Sequence, residues 1–151
     1  MVNRDFEIVK RAINYATMQH AGQVRKFNNE PYINHPTRVA SNFMDGGTAA
    51  AAYLHDTLED TLATEEELRK LFPDHIVDTV KILTKKQGEN YFDFIIRIKN
   101  SSNLDALMIK LADIHDNLSD LKEGSLKDKY RLAQYILQQY LVQCQTLKKD
   151  N

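Results

Sequence analysis

HDTLEDT, residues His55 to Thr61, follows directly on GTAAAAYL, residues Gly47 to Leu54. The apolar run is small-sided nearly all round, which is the pattern of a buried helix rather than a surface one. It delivers His55 and Asp56 to the edge of a core. Continued as a helix at 100° per residue, His55, Asp56, Glu59 and Asp60 fall within an arc of about 140°, while Thr57 and Leu58 point away. An imidazole and three carboxylates on one turn repel each other unless a cation sits among them. A solvated acidic helix end is the plainer reading of such acids. The buried run before them favours a metal site.

At 151 residues the chain has the length of one domain, residues 1–151, with 42% hydrophobic and 27% charged side chains that exclude a disordered class. No apolar run approaches a membrane span, and Met1 leads straight into NRDFEIVKRA without a targeting pattern. A net charge of −1, with Lys and Arg spread along the chain, argues against nucleic acid as a partner. The single cysteine, Cys144, cannot form an internal disulfide and lies on the apolar stripe of a helix. A reducing cytoplasm fits it. The oligomeric state is left open. Five Gly, three Pro and no strand-length alternation predict an all-helical fold.

The spacing predicts a first helix from Asp5 to His20, with Phe6, Val9, Ile13 and Ala16 or Thr17 inward. A loop, QVRKFNNEPYINHP, follows and is too well furnished for a plain connector. Pro36 belongs to the first turn of a second helix, with His35 near its cap and Val39, Phe43 and Met44 as its apolar side. After the third helix, Thr64 to Glu67 reads as a capping box, and Asp74 as the cap of the next helix. TKKQGEN, residues Thr84 to Asn90, is a basic loop before a helix over 91–99. A helix over 104–121 carries Leu107, Leu111, Ile114, Leu118 and Leu121 as a stripe. Ser125 caps a long last helix with Tyr130, Ala133, Ile136 or Leu137, Tyr140, Cys144 and Leu147 inward.

Asp113 and Asn117 stand four apart and share a helix face that borders the apolar stripe. A carboxylate on a buried helix needs a partner, and Lys110 is the bland candidate. Taken together, His35, His55, Asp56 and Asp113 supply two neutral imidazoles and two carboxylates, which balance a divalent cation. Mixed nitrogen and oxygen donors suit manganese, iron or zinc better than calcium. His20, His75 and His115 receive no ligand role.

Three stretches, HAGQVRKFNNEPYINHPTRVA (His20 to Ala40), AAAYLHDTLEDT (Ala50 to Thr61) and IKLADIHDNL (Ile109 to Leu118), occur in this order. In them the chain resembles the small HD-domain phosphohydrolases, specifically the hydrolase domain of RelA/SpoT-type alarmone enzymes and their single-domain homologues. The resemblance implies a single all-α HD-domain bundle with a metal site between helices. It implies manganese held by His35, His55, Asp56 and Asp113, and a water handled by Glu59 and Asp60. It places a nucleotide substrate against Arg25, Lys26 and Asn117, with Arg131 and Tyr135 as a phosphate-gripping pair. Lys85 and Lys86 are further phosphate candidates. The implied reaction is hydrolysis of guanosine tetra- or pentaphosphate at the 3′ position. A nucleotidase or phosphatase acting on another nucleotide or phosphorylated cofactor is one alternative, and a non-enzymatic alarmone-binding module is another. The chain departs from the family at Ile114, where an Arg is usual, at Leu118–Ser119, and in a loop one residue longer after Lys26.

Overall fold

The computed structural model describes residues 4–149. Among them are nine helices: α1 (Arg4–Gln19), α2 (Asn34–Ala40), α3 (Gly46–Leu54), α4 (Thr57–Asp60), α5 (Glu65–Leu71), α6 (Asp74–Ile82), α7 (Tyr91–Asn100), α8 (Leu104–Asp120) and α9 (Ser125–Lys149). The one β-type pairing among the described residues is an isolated bridge between Val24 and Pro31. The fold is an all-α bundle, as the sequence predicts.

The alanine-rich α3 sits in the middle, packed by α1, α2, α6 and α8. Asp45 starts it by accepting from the Thr48 backbone N–H at 2.8 Å, so one orphan donor of the first turn is satisfied. Its small side chains let neighbouring backbones approach closely. That approach re-registers α1, whose buried residues are Ala12 and Ala16, with Ile8 and Tyr15 beside them against the core. The predicted face is corrected at Phe6, which is exposed; the expected Ala16 is buried, and Val9 and Ile13 are half-buried. Alanine against alanine fills the narrow gap that a phenylalanine would have forced apart.

The same crowding explains Gly46, where an added Cβ would lie 2.6 Å from the Asp5 Cβ of α1. Gly46→Ala is expected to destabilise the protein by about 1–3 kcal/mol through overpacking. Urea unfolding of the variant checks this; an unchanged midpoint would mean that α1 yields freely.

Two apolar clusters hold the bundle. One surrounds α3 and includes Leu54, Leu68, Ile76 and Ile109. The other joins Ile95, Leu107 and Ile114 to Ala133 and Leu137, seating α9 on α7 and α8. Each fully buried Leu or Ile contributes about 1.5–3 kcal/mol relative to exposure. Tyr91 packs against both clusters. The capping box of α5 forms as expected between Thr64 and Glu67.

Three further expectations are corrected. Asp74 does not cap α6; Pro73 occupies the cap position, and the Asp74 carboxylate pairs with Arg69 at 2.8 Å. Met44 and Leu147 are exposed; α2 ends at Ala40, before Met44 is reached. Cys144, in the last turns of α9, is half-buried.

Candidate metal centre and active site

HDTLEDT is not one continuous helix. α3 ends at Leu54, His55 and Asp56 form the joint, and α4 restarts at Thr57. The joint arises because side chains take the last carbonyls of α3. His55 Nδ1 lies 2.6 Å from the Ala52 carbonyl, and the Thr57 hydroxyl donates to the Leu54 carbonyl at 2.8 Å. The Ala52 carbonyl also accepts from the His55 backbone N–H at 3.4 Å, so backbone and side chains together close the helix end. The break turns both HD side chains inward, while Glu59 and Asp60 on α4 stay accessible.

His35, in the first turn of α2, and Asp113, in the middle of α8, converge on this joint. His35 Nε2 is 3.0 Å from Asp113 Oδ1 and 3.6 Å from Asp56 Oδ2. His55 Nε2 is 3.1 Å from Asp56 Oδ2 and 3.5 Å from Asp113 Oδ1. Ligand atoms held at about 2.0–2.2 Å from one cation lie roughly 3–3.5 Å apart. These imidazole–carboxylate distances are near that spacing, and His35, His55 and Asp56 form the compact metal-competent group among the described residues; Asp113 stands beside that group, facing both imidazoles.

The tautomers point the same way. His35 gives its Nδ1–H to Asp116 Oδ2 at 2.7 Å, and His55 gives its own to Ala52. Each Nε2 then turns a lone pair toward carboxylate oxygens. The buried His55 Nε2 has no hydrogen-bond partner among the described residues, since its approach to Asp56 is out of line. Acceptors facing acceptors in a buried cluster need a cation or extra protons. Without a cation the proton demand is visible. Burial opposes charging His55, yet Asp56 and Asp113 hold its pKa well above the usual imidazole value. Burial likewise opposes His35, whose hydrogen bonds to Asp113 and Asp116 raise it. A divalent cation satisfies the same electrostatics with both imidazoles neutral, so the donor set fits one.

A supporting shell surrounds the four. Asp116 orients His35 and is itself held by Arg38 Nε at 2.6 Å and by Arg25 at 3.4 Å. Tyr32 donates its hydroxyl to Asp56 Oδ2 at 2.5 Å. Lys110 is buried and pairs with Asp113 Oδ2 at 2.7 Å, so the bland partner and the metal-facing oxygen coexist on one carboxylate. Asn117 donates to Asp113 Oδ1 at 2.9 Å. Sequence reasoning missed Asp116 and Arg38. Asp116 lies three residues beyond Asp113, one turn along the same face, and that spacing was the available signal. His20, which the sequence leaves without a ligand role, is hydrogen-bonded at the end of α1. It is 2% exposed, its Nδ1 meets Gln23 Oε1 at 2.8 Å, and its ring lies 4.8 Å from that of Tyr32.

Asp116→Asn should weaken metal affinity about 10–100-fold, the usual cost of losing the carboxylate behind a ligating histidine. Competition with a chelator measures it. Unaltered affinity would make Asp116 a partner of Arg38 alone.

His35, Asp56 and Asp113 line a cavity of about 890 Å³, with His55 behind them, and Glu59, Asp60, Lys26, Lys85, Lys110 and Lys129 also line it. That is the size range of a nucleotide site. Glu59 Oε1 accepts from the Lys85 backbone N–H at 2.7 Å. The Asp60 carboxyl is pushed up to about 6, first by desolvation and then by Asp56 and Glu59. A cation at the cluster would act against the Asp56 contribution.

Arg25 borders the cavity but is only 7% exposed, its guanidinium engaged by Asp120 at 2.5 Å as well as by Asp116. Lys26 is exposed at the rim. Arg131 and Tyr135 are not brought to the cavity. Arg131 pairs with Glu123 at 3.0 Å, and Tyr135 is exposed. Both lie about 200° around α9 from the inward Ala133, so that spacing aims them outward. Lys129 and Tyr130 line the cavity from α9 instead.

The HD domain family model matches residues 12–141, and the chain belongs to that family. Among curated relatives, a GTP pyrophosphokinase of Myxococcus xanthus is 38% identical over 90% of this chain and 20% of its own length. A guanosine-3′,5′-bis(diphosphate) 3′-pyrophosphohydrolase of Aquifex aeolicus is 34% identical over 89% of this chain and 20% of its own. The chain thus spans about a fifth of these relatives. A solved metazoan ortholog of SpoT, described as hydrolysing ppGpp and acting in starvation responses, superposes with a TM-score of 0.74 at 28% identity. The match covers 89% of this chain and 85% of that one.

Proposed function

We propose that the chain is a manganese-dependent phosphohydrolase that cleaves guanosine 3′,5′-bis(diphosphate) at the 3′ position, releasing pyrophosphate and leaving GDP, or GTP from the pentaphosphate. The carrying observation is the cluster of His35, His55, Asp56 and Asp113, beside a cavity that two accessible acids and several amines also line. The activities named for the Aquifex relative and for the metazoan ortholog support the same reading. With no described helix long and apolar enough to cross a membrane, a cytoplasmic location is part of the proposal.

His35, His55, Asp56 and Asp113 would hold the metal, which when bound supplies Lewis-acid polarisation of a phosphoryl oxygen and acidifies the attacking water. Glu59 and Asp60 orient that water, and the raised Asp60 suits a proton acceptor near neutral pH. The water oxygen attacks the phosphorus esterified to the ribose 3′ oxygen, the P–O3′ bond breaks, and the ribose oxygen takes a proton. Lys26, Lys85 and Lys129 offset charge on the phosphoryl groups. Arg25 and Asn117 act in this reading by holding Asp116, Asp120 and Asp113 in place.

A second reading, an HD-class nucleotidase or phosphatase for another nucleotide, is favoured by one observation: Arg25 and Asn117 are both committed to protein partners. A binding module that does no chemistry has no use for Glu59 and Asp60 beside a phosphate. Purified protein with Mn²⁺ is to be offered a nucleotide panel, with products identified. Pyrophosphate and GDP from ppGpp are expected. Orthophosphate from nucleoside monophosphates at far higher kcat/KM would install the nucleotidase, and binding without turnover the module.

A further inference from the structure

Glu59 is steadied by a single bond from a loop, and that loop is held by a side chain outside the cavity. Residues 84–90 run between α6 and α7 and lend Lys85, Glu89 and Asn90 to the cavity lining. Among the described residues, the Lys85 backbone N–H is the only hydrogen-bond donor to Glu59, at 2.7 Å. The loop has few bonds of its own. The Lys86 N–H reaches Glu89 Oε2 at 2.9 Å, Lys85 Nζ the Glu89 carbonyl at 3.1 Å, and Gly88 turns at φ 76°.

Arg97, nearly two turns into α7, ties this loop to the helices on either side. Its Nε and Nη2 grip the Glu89 carboxylate as a fork at 2.7 and 2.9 Å. Nη1 donates to the Ile82 carbonyl at 3.1 Å, and Nη2 also to the Thr84 carbonyl at 2.9 Å. The Ile82 carbonyl is one that the end of α6 leaves over. The guanidinium lies 5.2 Å from the Phe94 ring centroid, and Phe94 lines the cavity, whereas Arg97 does not. A lysine cannot make the fork and both carbonyl bonds together, because its donors radiate from one nitrogen rather than spread over a plane. The fork draws the Glu89 carboxyl down to about 2, so the pair is ionised at neutral pH.

We infer that Arg97 is a positioning residue: by joining Glu89 to the Ile82 and Thr84 carbonyls it fixes the Lys85 N–H, and through it the Glu59 carboxylate beside the metal centre. A carboxylate with one donor is placed only as well as the segment that carries the donor. The inference rests on Glu59 as a water-orienting group and adds what sets its aim.

Two readouts keep the inference apart from that reading. Amide hydrogen exchange at Lys85 reports the Glu59 contact without turnover, and nucleotide hydrolysis by the Mn²⁺-loaded protein reports its use. Arg97→Gln and Arg97→Lys should each raise Lys85 exchange about tenfold, the scale of one lost hydrogen bond. Each should lower kcat about 10- to 100-fold at unchanged metal content, with KM little altered. In a Glu59→Ala background, Arg97→Gln should cost less than about threefold more, because residues acting as a unit are not additive. An additive cost there, unchanged Lys85 exchange, or raised exchange with kcat intact overturns the inference. So does full activity in Arg97→Lys, which would make charge rather than geometry the contribution, or loss of the helical circular dichroism in both variants. Hydrolysis of ppGpp with an additive cycle keeps the hydrolase reading and removes the inference. A non-additive cycle on another nucleotide, with ppGpp untouched, does the reverse, and no turnover of any nucleotide overturns both.

Discussion

Stripping the divalent metal with a chelator is expected to abolish turnover and to lower the melting temperature, with Mn²⁺ restoring both. The cluster is buried and electrostatically unfinished without a cation, so binding and folding are linked. A metal present at 100 times its Kd adds about 2.7 kcal/mol, which for a chain of this size is about 5–10 °C in Tm. The pH dependence has a definite sign. In metal-free protein His35 and His55 have raised pKa values. Their contribution is complete below the unfolded imidazole value and is lost as pH rises through the raised one. The metal must displace those protons, so its affinity falls on acidification. The Tm difference between metal-loaded and stripped protein should therefore widen as pH rises through the raised values. Full activity in metal-free protein would sink the reading, and a difference that narrowed with pH would contradict the ligand assignment.

Much of this centre was legible before any coordinates. GTAAAAYL is small and apolar nearly all round, the pattern of a buried helix, and HD at its end therefore reads as emerging at the edge of the core. His35 beside Pro36, and Asp113 on the α8 stripe, were found by the same logic of polar groups on buried elements. What escaped depends on contacts between distant segments. The α1 register turned on how closely α3 approaches, which alanine spacing alone does not announce. The joint at His55–Asp56 depends on two side chains capturing carbonyls, a local competition that helical periodicity ignores. The resemblance sets Arg25 against a nucleotide, and the sequence does not announce its three carboxylate neighbours, Glu30, Asp116 and Asp120, because two of them lie some ninety residues away. Arg131 and Tyr135 matched in spacing but faced outward, because Ala133 and Leu137 decide which side of α9 is buried.

Glu59→Gln and Asp60→Asn separate metal binding from chemistry. Both carboxylates sit on α4, one turn past the HD joint, and line the cavity. Both are exposed and stand outside the compact group of His35, His55 and Asp56, whereas Asp113, also outside that group, is buried and faces both imidazoles. The amides keep shape and hydrogen-bonding size while removing a charge and a base. If these residues orient the water and take its proton, turnover should fall about a hundredfold or more in each variant. Metal content should stay near that of wild type, and nucleotide affinity should hold or tighten as negative charge near the phosphates drops. Glu59→Gln carries a second readout, because Glu59 also accepts from the Lys85 backbone. A glutamine carbonyl preserves that bond, so a purely structural role would leave kcat intact. Loss of metal together with folding would instead make the pair structural ligands. Unchanged turnover in both variants would return HDTLEDT to a metal-binding helix end with an acidic flank.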